Sequence, residues 1–413
     1  MQTKEEYTLT RFLYPRDEVE LSFLHCLLNK INLQEAYFWI FELHFSGFET
    51  FPFLWKIYLD FYKEHAPLNL EKYILKKIAF VKDQEKVPAI AAIVRNLFRF
   101  HPSPTVFLLR QLLCMKKDAL ENIKIISKKE RTAFAILHPH CPKKYLPLFL
   151  SIERGYWINV CHYLQHFLNA EESSATFISA LLVFYSSSPE NKVEFILKQA
   201  NVLHYLLAFC LSLASSKKRP FRLFIAPTKE DLQTIYEIND PFSSPQQLYN
   251  ALKFKRLFGI RAQIGCFFLQ RYTLPEAGAG SLPAGAGSLL QDILMHWEYY
   301  AVRSPLWQTR LFTIDPAALI DHSGRDIVFS TEDMKESFYE LYGYEFDEQP
   351  AHILQLSHRD IPYLSLQEWC LQEWCLQELR LQEWCLQELR LQEWCESFVN
   401  NASCELFSHF TIY

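Results

Sequence analysis

The sequence predicts an all-α protein, and three observations lead to that fold class. Only ten of the 413 residues are glycine, too few for the many positive-φ turns of a sheet-rich protein. Half of the residues are apolar, which is enough for a large core and argues against general disorder. Apolar residues also recur at the spacing of one helical face in segment after segment. We therefore expect an irregular, solenoid-like helical array over residues 1–216.

The first helices are predicted from apolar periodicity and from their capping residues. Residues 17–30 place most apolar side chains on one stripe. A capping-box pattern from Asn32 to Glu35 then opens a second helix, which Gly47 ends. Later helical patterns, separated by short links, lie over 53–64, 69–81, 89–100, 105–117, 117–136, 144–153, 156–169, 173–186, 190–199 and 201–216.

Beyond residue 216 the character of the chain changes. Residues 217–244 combine prolines, charges and a short β-like run, which predicts a junction. A second, mainly helical unit is expected over 245–350, interrupted by a duplicated Gly/Ala linker at 277–288. Within this unit we expect a short strand at 326–329 and then a capped helix that ends at Gly343. Its aromatic strings are predicted to form the core of the unit.

The tail, residues 351–413, contains six nearly identical pentapeptides over 366–395, each LQEWC or LQELR. Leucines with a period of five do not form one helical stripe, but Leu, Gln, Glu and Arg are good helix formers, so a long repeat helix is expected. Units this uniform are unlike side chains fitted to separate core environments. The repeats therefore mark the surface, and their four tryptophans predict a docking element.

Charge divides the chain into a basic and an acidic part. Residues 51–150 carry 18 Lys and Arg against 8 Asp and Glu, whereas residues 291–413 carry 7 against 21. This layout favours docking of the acidic tail on the basic region of its own chain, and docking on a partner is the alternative. The cysteine pattern has no CxxC pair, the first residues are polar, and the longest apolar run, 202–214, is shorter than the roughly 18–20 residues that span a bilayer. We expect a soluble, intracellular, cytoplasmic protein without a membrane partner.

The best metal-ligand candidates form two groups of histidine and cysteine. They are His138, His140 and Cys141 in a loop, and Cys161, His162 and His166 on a helix. Together they exceed the four N or S ligands of a structural zinc site, but the spacing matches no zinc family. The alternative is a buried cysteine, two histidines that line a groove and an ordinary loop. We favour that alternative and expect no metal and no cofactor.

An acidic cluster is the second candidate for metal-dependent chemistry. Asp315, Asp321, His322 and Asp326 can hold Mg²⁺ in principle. The alternative is a polar loop in which the aspartates form Asx turns around Pro316 and Gly324. We favour the loop. The sequence has no phosphate-binding glycine loop, nucleophile elbow or HExxH motif, and we expect no catalytic residue.

A basic stretch is the candidate nucleic-acid surface. Its residues are Lys124, Lys128, Lys129, Arg131, Lys143 and Lys144. Such a stretch can neutralise phosphates, although the alternative is a solvated face, and only Phe134 and Tyr145 lie among the cations as possible stacking platforms.

One resemblance accompanies these patterns. The strings TLTRFLYPRDEVELSFLHCLLNK, EAYFWIFELHFSG, LWKIYLDFY, HWEYYAVRSPLW and FYELYGYEFDEQ resemble uncharacterised helical proteins of large nucleocytoplasmic DNA viruses of protists. The resemblance covers most of the chain outside the two repeat segments. It implies a viral protein of the host cytoplasm or the virion, and it implies no site residue.

The sequence therefore predicts a non-enzymatic protein-interaction scaffold with a protein partner. Weak, non-specific nucleic-acid binding through residues 51–150 is the first alternative. An unrecognised enzyme is the second.

Overall fold

The computed structural model describes eleven stretches of the chain. They are residues 8–14, 16–30, 32–66, 68–103, 105–114, 126–169, 174–185, 190–199, 201–215, 225–238 and 296–342. These stretches contain sixteen α-helices, one π-helix and one two-stranded hairpin, so the predicted all-α class is confirmed. Several predicted features lie outside the described residues, among them the Gly/Ala linker at 277–288, the pentapeptide repeats and Lys124.

The elements follow one another in a nearly unbroken series of helices. The first part contains α1 (Arg16–Asn29), α2 (Leu33–Phe45), α3 (Thr50–Ile57), the π-helix (Tyr58–Tyr62), α4 (Leu68–Ala79), α5 (Asp83–Arg99), α6 (Thr105–Cys114), α7 (Lys128–Leu137), α8 (Leu146–Arg154), α9 (Trp157–Asn169), α10 (Ser174–Tyr185), α11 (Glu190–Leu197), α12 (Val202–Ser215) and α13 (Lys229–Ile238). The second part contains α14 (Trp297–Ala301), α15 (Pro305–Ile314), β1 (Leu319–Asp321), β2 (Asp326–Val328) and α16 (Glu332–Tyr342).

Several predicted boundaries agree with the structure because the capping residues act as expected. The Asn32 side chain accepts a hydrogen bond from the backbone N–H of Gln34 at 2.9 Å. Gly47 has a φ of 88° just after α2, a conformation that glycine adopts without strain. Thr331 accepts a hydrogen bond from the N–H of Met334 at the start of α16. The predicted strand is β2, which pairs with β1 in an antiparallel hairpin.

Two predicted boundaries are wrong. Within the helix predicted over 117–136, residues 126–127 are not helical and α7 begins at Lys128, where Ser127 and Glu130 form a reciprocal capping box; residues 117–125 lie outside the described part of the chain. Pro88 was expected to precede its helix, yet α5 begins at Asp83 and contains it. Pro88 is the sixth residue of α5, so it removes one intrahelical hydrogen bond from the second turn, and the helix continues past it through a run of buried residues.

The π-helix brings a buried acid into the core. Its residues are all buried, Asp60 among them. The Asp60 carboxylate accepts hydrogen bonds from Nε and Nη2 of Arg110 at 3.0 and 2.9 Å, and His204 Nε2 lies 2.8 Å from its Oδ1. Burial alone raises the pKa of Asp60, but Arg110 and His204 hold that pKa well below its usual range. One carboxylate thus joins the π-helix to α6 and α12.

A second buried ion pair lies one turn further along. Lys63, just after the π-helix, pairs with Glu71 of α4, and the other oxygen of Glu71 accepts a hydrogen bond from the Tyr205 hydroxyl at 3.2 Å. The Lys63 ammonium also lies 5.7 Å from the centroid of the Tyr205 ring. Both ion pairs therefore involve α12, which contributes His204 to the first and Tyr205 to the second.

The contacts among helices depart from those of a regular solenoid, in which each repeat touches only its neighbours. Helix α12 packs on the π-helix, α6, α8 and α9, and α13 packs on α2 and α5. Residues 225–238, inside the predicted junction, are held there by Asn96, whose side chain exchanges two hydrogen bonds with the backbone of Ile225. The solenoid-like part of the fold prediction is not supported by these contacts.

Residues 296–342 share a hydrophobic core with the N-terminal helices. Trp307 Nε1 donates to the carbonyl oxygen of Thr10 at 3.0 Å, and the N–H of Leu9 donates to the carbonyl oxygen of Tyr300 at 3.1 Å. Of the aromatic side chains predicted to be core, Trp297, Trp307 and Phe338 are buried, whereas Tyr339 and Tyr342 are half-buried. The described residues on either side of the predicted junction thus pack into one core.

We predict that Gly47→Ala destabilises the protein more than Gly155→Ala. Both glycines have positive φ, which costs a residue with a Cβ about 1–2 kcal/mol. A Cβ at Gly47 lies 2.7 Å from the Cβ of Pro305, whereas the nearest atom at Gly155 is 3.8 Å away. We expect an additional loss of about 1–3 kcal/mol for Gly47→Ala. Urea unfolding of both variants measures the difference, and equal losses would contradict the close packing of α15 on the end of α2.

We also predict that Asp60→Asn lowers the free energy of unfolding by about 3–5 kcal/mol, because it removes the negative charge that faces the buried Arg110 guanidinium. The double variant Asp60→Leu with Arg110→Met removes both charges, so its free energy of unfolding should fall by less than that of Asp60→Asn. Since the pKa of Asp60 is lowered in the fold, its contribution is complete above the ordinary value of 3.8 and declines as the pH falls below it. Urea unfolding across that range should show the variant and the wild type converging under acid conditions. A constant difference would contradict this assignment.

Candidate functional site

A groove of about 880 Å³ lies beside α7 and α10. One side is Leu137, the last residue of α7, followed by the loop 138–142. The opposite side is formed by α10 and by Val193 of α11. The α10 wall combines small residues such as Ala175 and Ser179 with Val183 and Phe184. Small side chains on this wall let a ligand approach the helix backbone closely.

The groove has an apolar rim that is open to solvent. Leu137 and Val183, which line the groove, are 74% and 61% exposed, and Ile136, next to Leu137 in sequence, is 74% exposed. Phe134, one turn before the end of α7, is buried in the core, and the helix ends at the exposed Leu137. Exposed apolar side chains gathered around one concavity are typical of an interaction site, whereas single ones need no explanation.

A stack of aromatic rings supports the groove from below. The rings of Phe149 and Phe184 are parallel, with centroids 4.3 Å apart, and the ring of Phe134 lies 6.4 Å from that of Phe184. His138 contacts this stack with its ring 4.5 Å from Phe134, and its Nε2 lies 3.5 Å from a carboxylate oxygen of Glu153. Because α7, α8 and α10 meet in this stack, the groove is a preformed feature of the core.

Cations lie beside the apolar rim. Every described member of the predicted basic stretch is exposed, namely Lys128, Lys129, Arg131, Lys143 and Lys144. Three of them lie at the start of α7, where the helix dipole favours anions and disfavours cations. Helix stability therefore does not explain their position. The outer surface of α7 changes from cationic at its start to apolar at its end.

The two aromatic residues proposed as stacking platforms among these cations do not have that role. Phe134 is 4% exposed and Tyr145 is 7% exposed. Both belong to the core, where Tyr145 packs against Phe167 and Phe177. They cannot stack on nucleic-acid bases, so the basic surface offers phosphate contacts only.

The six candidate metal ligands serve several separate purposes in the structure. Cys141 and Cys161 are buried, and burial raises the pKa of their thiols to about 11 and about 12. His162 and His166 lie one turn apart on α9 with parallel rings 6.3 Å apart. The part of the chain that the structure describes has no group of three or more His, Cys, Asp or Glu residues placed to hold a metal ion.

The acidic cluster supports the turns of the hairpin region. Asp315 accepts hydrogen bonds from the backbone N–H groups of Ala317 and Ser330, and Asp321 accepts from the N–H and the hydroxyl of Ser323. These bonds lower the pKa of both carboxyls. His322 Nδ1 lies 3.3 Å from the Tyr299 hydroxyl. The aspartates thus form the Asx turns that we favoured over a magnesium site.

Sequence patterns missed the groove itself. Ile136 and Leu137 have the apolar character of core residues, and only their position directly before the His-Pro-His loop indicates that the helix ends there. The α10 wall comes from a helix that is apolar almost throughout, so its periodicity does not show which side faces the groove.

Comparisons of the chain with protein-family models, with curated proteins and with solved structures found no match. The geometry of the chain itself therefore carries the functional argument. Within the described stretches, no helix has both the length and the apolar character needed to cross a bilayer.

We predict that the purified protein carries well under one zinc ion per chain. A structural zinc ion needs four N or S ligands, and the described residues place no three His, Cys, Asp or Glu side chains together to hold a metal ion. Elemental analysis measures the metal content. Stoichiometric zinc that disappears in the variant His162→Ala with His166→Ala would contradict this prediction and make 138–166 a metal site.

Proposed function

We propose that this protein is a non-enzymatic interaction protein that binds an acidic, apolar peptide segment in the groove beside α7 and α10. The observation that carries the proposal is the exposed apolar rim of Leu137 and Val183 around a preformed groove. Surfaces of this kind bind a few anchoring apolar side chains, which supply most of the binding energy.

The size of the groove supports a peptide side-chain ligand. A volume of about 880 Å³ is in the range of pockets that enclose a small molecule or a few side chains. The lining is mainly apolar, with Thr176, Ser179 and the histidines of the loop as polar groups. Leucine or an aromatic residue suits such a lining, because each buries a large apolar area.

The charge beside the groove supports an acidic segment. Lys128, Lys129 and Arg131 follow the outer face of α7 up to the apolar rim, and Lys143 and Lys144 follow the loop. Exposed cations attract an acidic ligand, increase its association rate and make binding sensitive to salt. A basic or neutral apolar segment lacks this attraction.

Nucleic acid is the second candidate ligand, and the exposed cations of α7 are the observation that favours it. Contact with phosphates alone gives weak, sequence-independent binding that fades steeply as salt rises. The apolar rim has no role in that interaction, which is why we place it second. An enzyme is third, since the Asp315 and Asp321 carboxylates are engaged in turns. An origin in a large DNA virus and a place in the host cytoplasm or the virion are part of the same proposal.

The test compares short fluorescent peptides on the full-length protein. The first peptide is acidic with leucine and tryptophan anchors, the second has the same anchors with basic residues, and the third is acidic without anchors. We expect only the first to bind well, and we expect Leu137→Asp to weaken it about tenfold or more, equivalent to about 1.4 kcal/mol. Anisotropy titration at low and physiological salt measures the affinities.

Leu341→Asp is the matched control for this experiment. Leu341 also lies in the last turn of a helix, and it is 67% exposed against 74% for Leu137. The Leu341→Asp variant should leave peptide binding unchanged. Equal binding of all acidic ligands, including DNA and the peptide without anchors, would overturn the proposal in favour of a general anion-binding surface.

A further inference from the structure

We infer that the occupant of the groove is the pentapeptide-repeat segment of the same chain, residues 366–395. This inference rests on the proposed function, because it names the ligand of the groove described above. Three observations carry it: the chemistry of the repeats, the length of chain that joins them to the core, and the repetition of the same anchor at several positions.

The repeats have the chemistry that the groove selects. Each unit contains a leucine and a glutamate, four of the six add a tryptophan, and the other two add a second leucine and an arginine. The segment thus has six glutamates against two arginines. Its apolar anchors match the rim formed by Leu137 and Val183, and its net negative charge matches the cations of α7.

The connection is long enough for the segment to reach the groove in the same molecule. Residues 343–365 lie between the end of α16 and the first repeat, and at about 3.3–3.6 Å per extended residue they can span roughly 75–80 Å. A compact body of this size has a radius of gyration of about 20 Å, so the linker can reach either side of it. A tether of this kind gives a high effective concentration, so a weak contact per unit is sufficient.

Repetition itself favours docking of this kind. Four equivalent LQEWC units, centred on Trp369, Trp374, Trp384 and Trp394, present the same anchor at several positions. Any one of them can occupy the groove, so the exact register does not matter. This explains how near-identical copies can persist in a segment that has a binding role.

Tryptophan fluorescence can report on the repeats alone. The five remaining tryptophans, Trp39, Trp55, Trp157, Trp297 and Trp307, are at most 9% exposed. Collisional quenching by acrylamide therefore measures the accessibility of the tail tryptophans in the intact chain. If the tail is docked, the wild type is poorly quenched.

The experiment compares the full-length wild type with Leu137→Asp, Val183→Asp and the control Leu341→Asp. Both groove variants should raise the quenching constant about twofold or more, because four of nine tryptophans gain access to solvent. The quenching constant of the control Leu341→Asp should equal that of the wild type. High salt should shift the wild type toward the groove variants. Circular dichroism confirms that the variants are folded.

Two outcomes would overturn the inference. One is a wild type whose tail tryptophans are already fully quenched and do not respond to Leu137→Asp. The other is protection that disappears on dilution, which would assign the docked tail to a second copy of the chain.

The peptide assay separates failure of this inference from failure of the proposed function. If the tail occupies the groove, a chain with its four tail tryptophans changed to alanine should bind the acidic peptide more tightly than the wild type. Equal binding in the two chains, still lost with Leu137→Asp, would reject the tail as occupant and retain the groove. If neither the wild type nor the chain without tail tryptophans binds the peptide, the groove is rejected as well.

Discussion

The fold depends on one carboxylate that is buried in the π-helix. Asp60 lies in the π-helix, and its contacts with Arg110 and His204 join three helices that are far apart in sequence. A buried charge is costly without its partners, so the three elements must come together in one arrangement. The adjacent pair of Lys63 and Glu71 imposes the same requirement on α4. Two buried ion pairs thus orient α12 in a core that also contains other buried polar side chains, such as Glu42 and Asn96.

The position of α12 in turn determines where the groove lies. Helix α12 packs on α8 and α9, and α10 packs on α9. The aromatic stack of Phe149 and Phe184 then fixes α10 against α8, with α7 along its edge. The outer end of α7 has no described helix over it, so Ile136 and Leu137 remain exposed. The groove is therefore a consequence of how the core is closed, and its cations and apolar rim come from α7, the loop that follows it and α10.

How far the site could be foreseen differs between its parts. The loop at 138–142 and the cations around it stand out in the sequence by residue type, and the structure places both beside the groove. Their suggested chemistry differs from what the structure favours, because Cys141 is buried and Phe134 and Tyr145 belong to the core. Residue type indicates what a side chain can do, whereas burial decides whether a ligand can reach it.

The sequence by itself determined the all-α class and most helix boundaries, because periodicity and capping are local properties. Asn32 and Gly47 bound α2 as expected, since a cap needs only a few neighbouring residues. Tertiary structure decided the rest. Contacts between distant residues decide three features of the fold. They are the π-helix at Asp60, the packing of α13 on α2 and α5, and the core shared with residues 296–342. A single sequence contains no local signal for such contacts, because their stability arises only when the partners are already packed together.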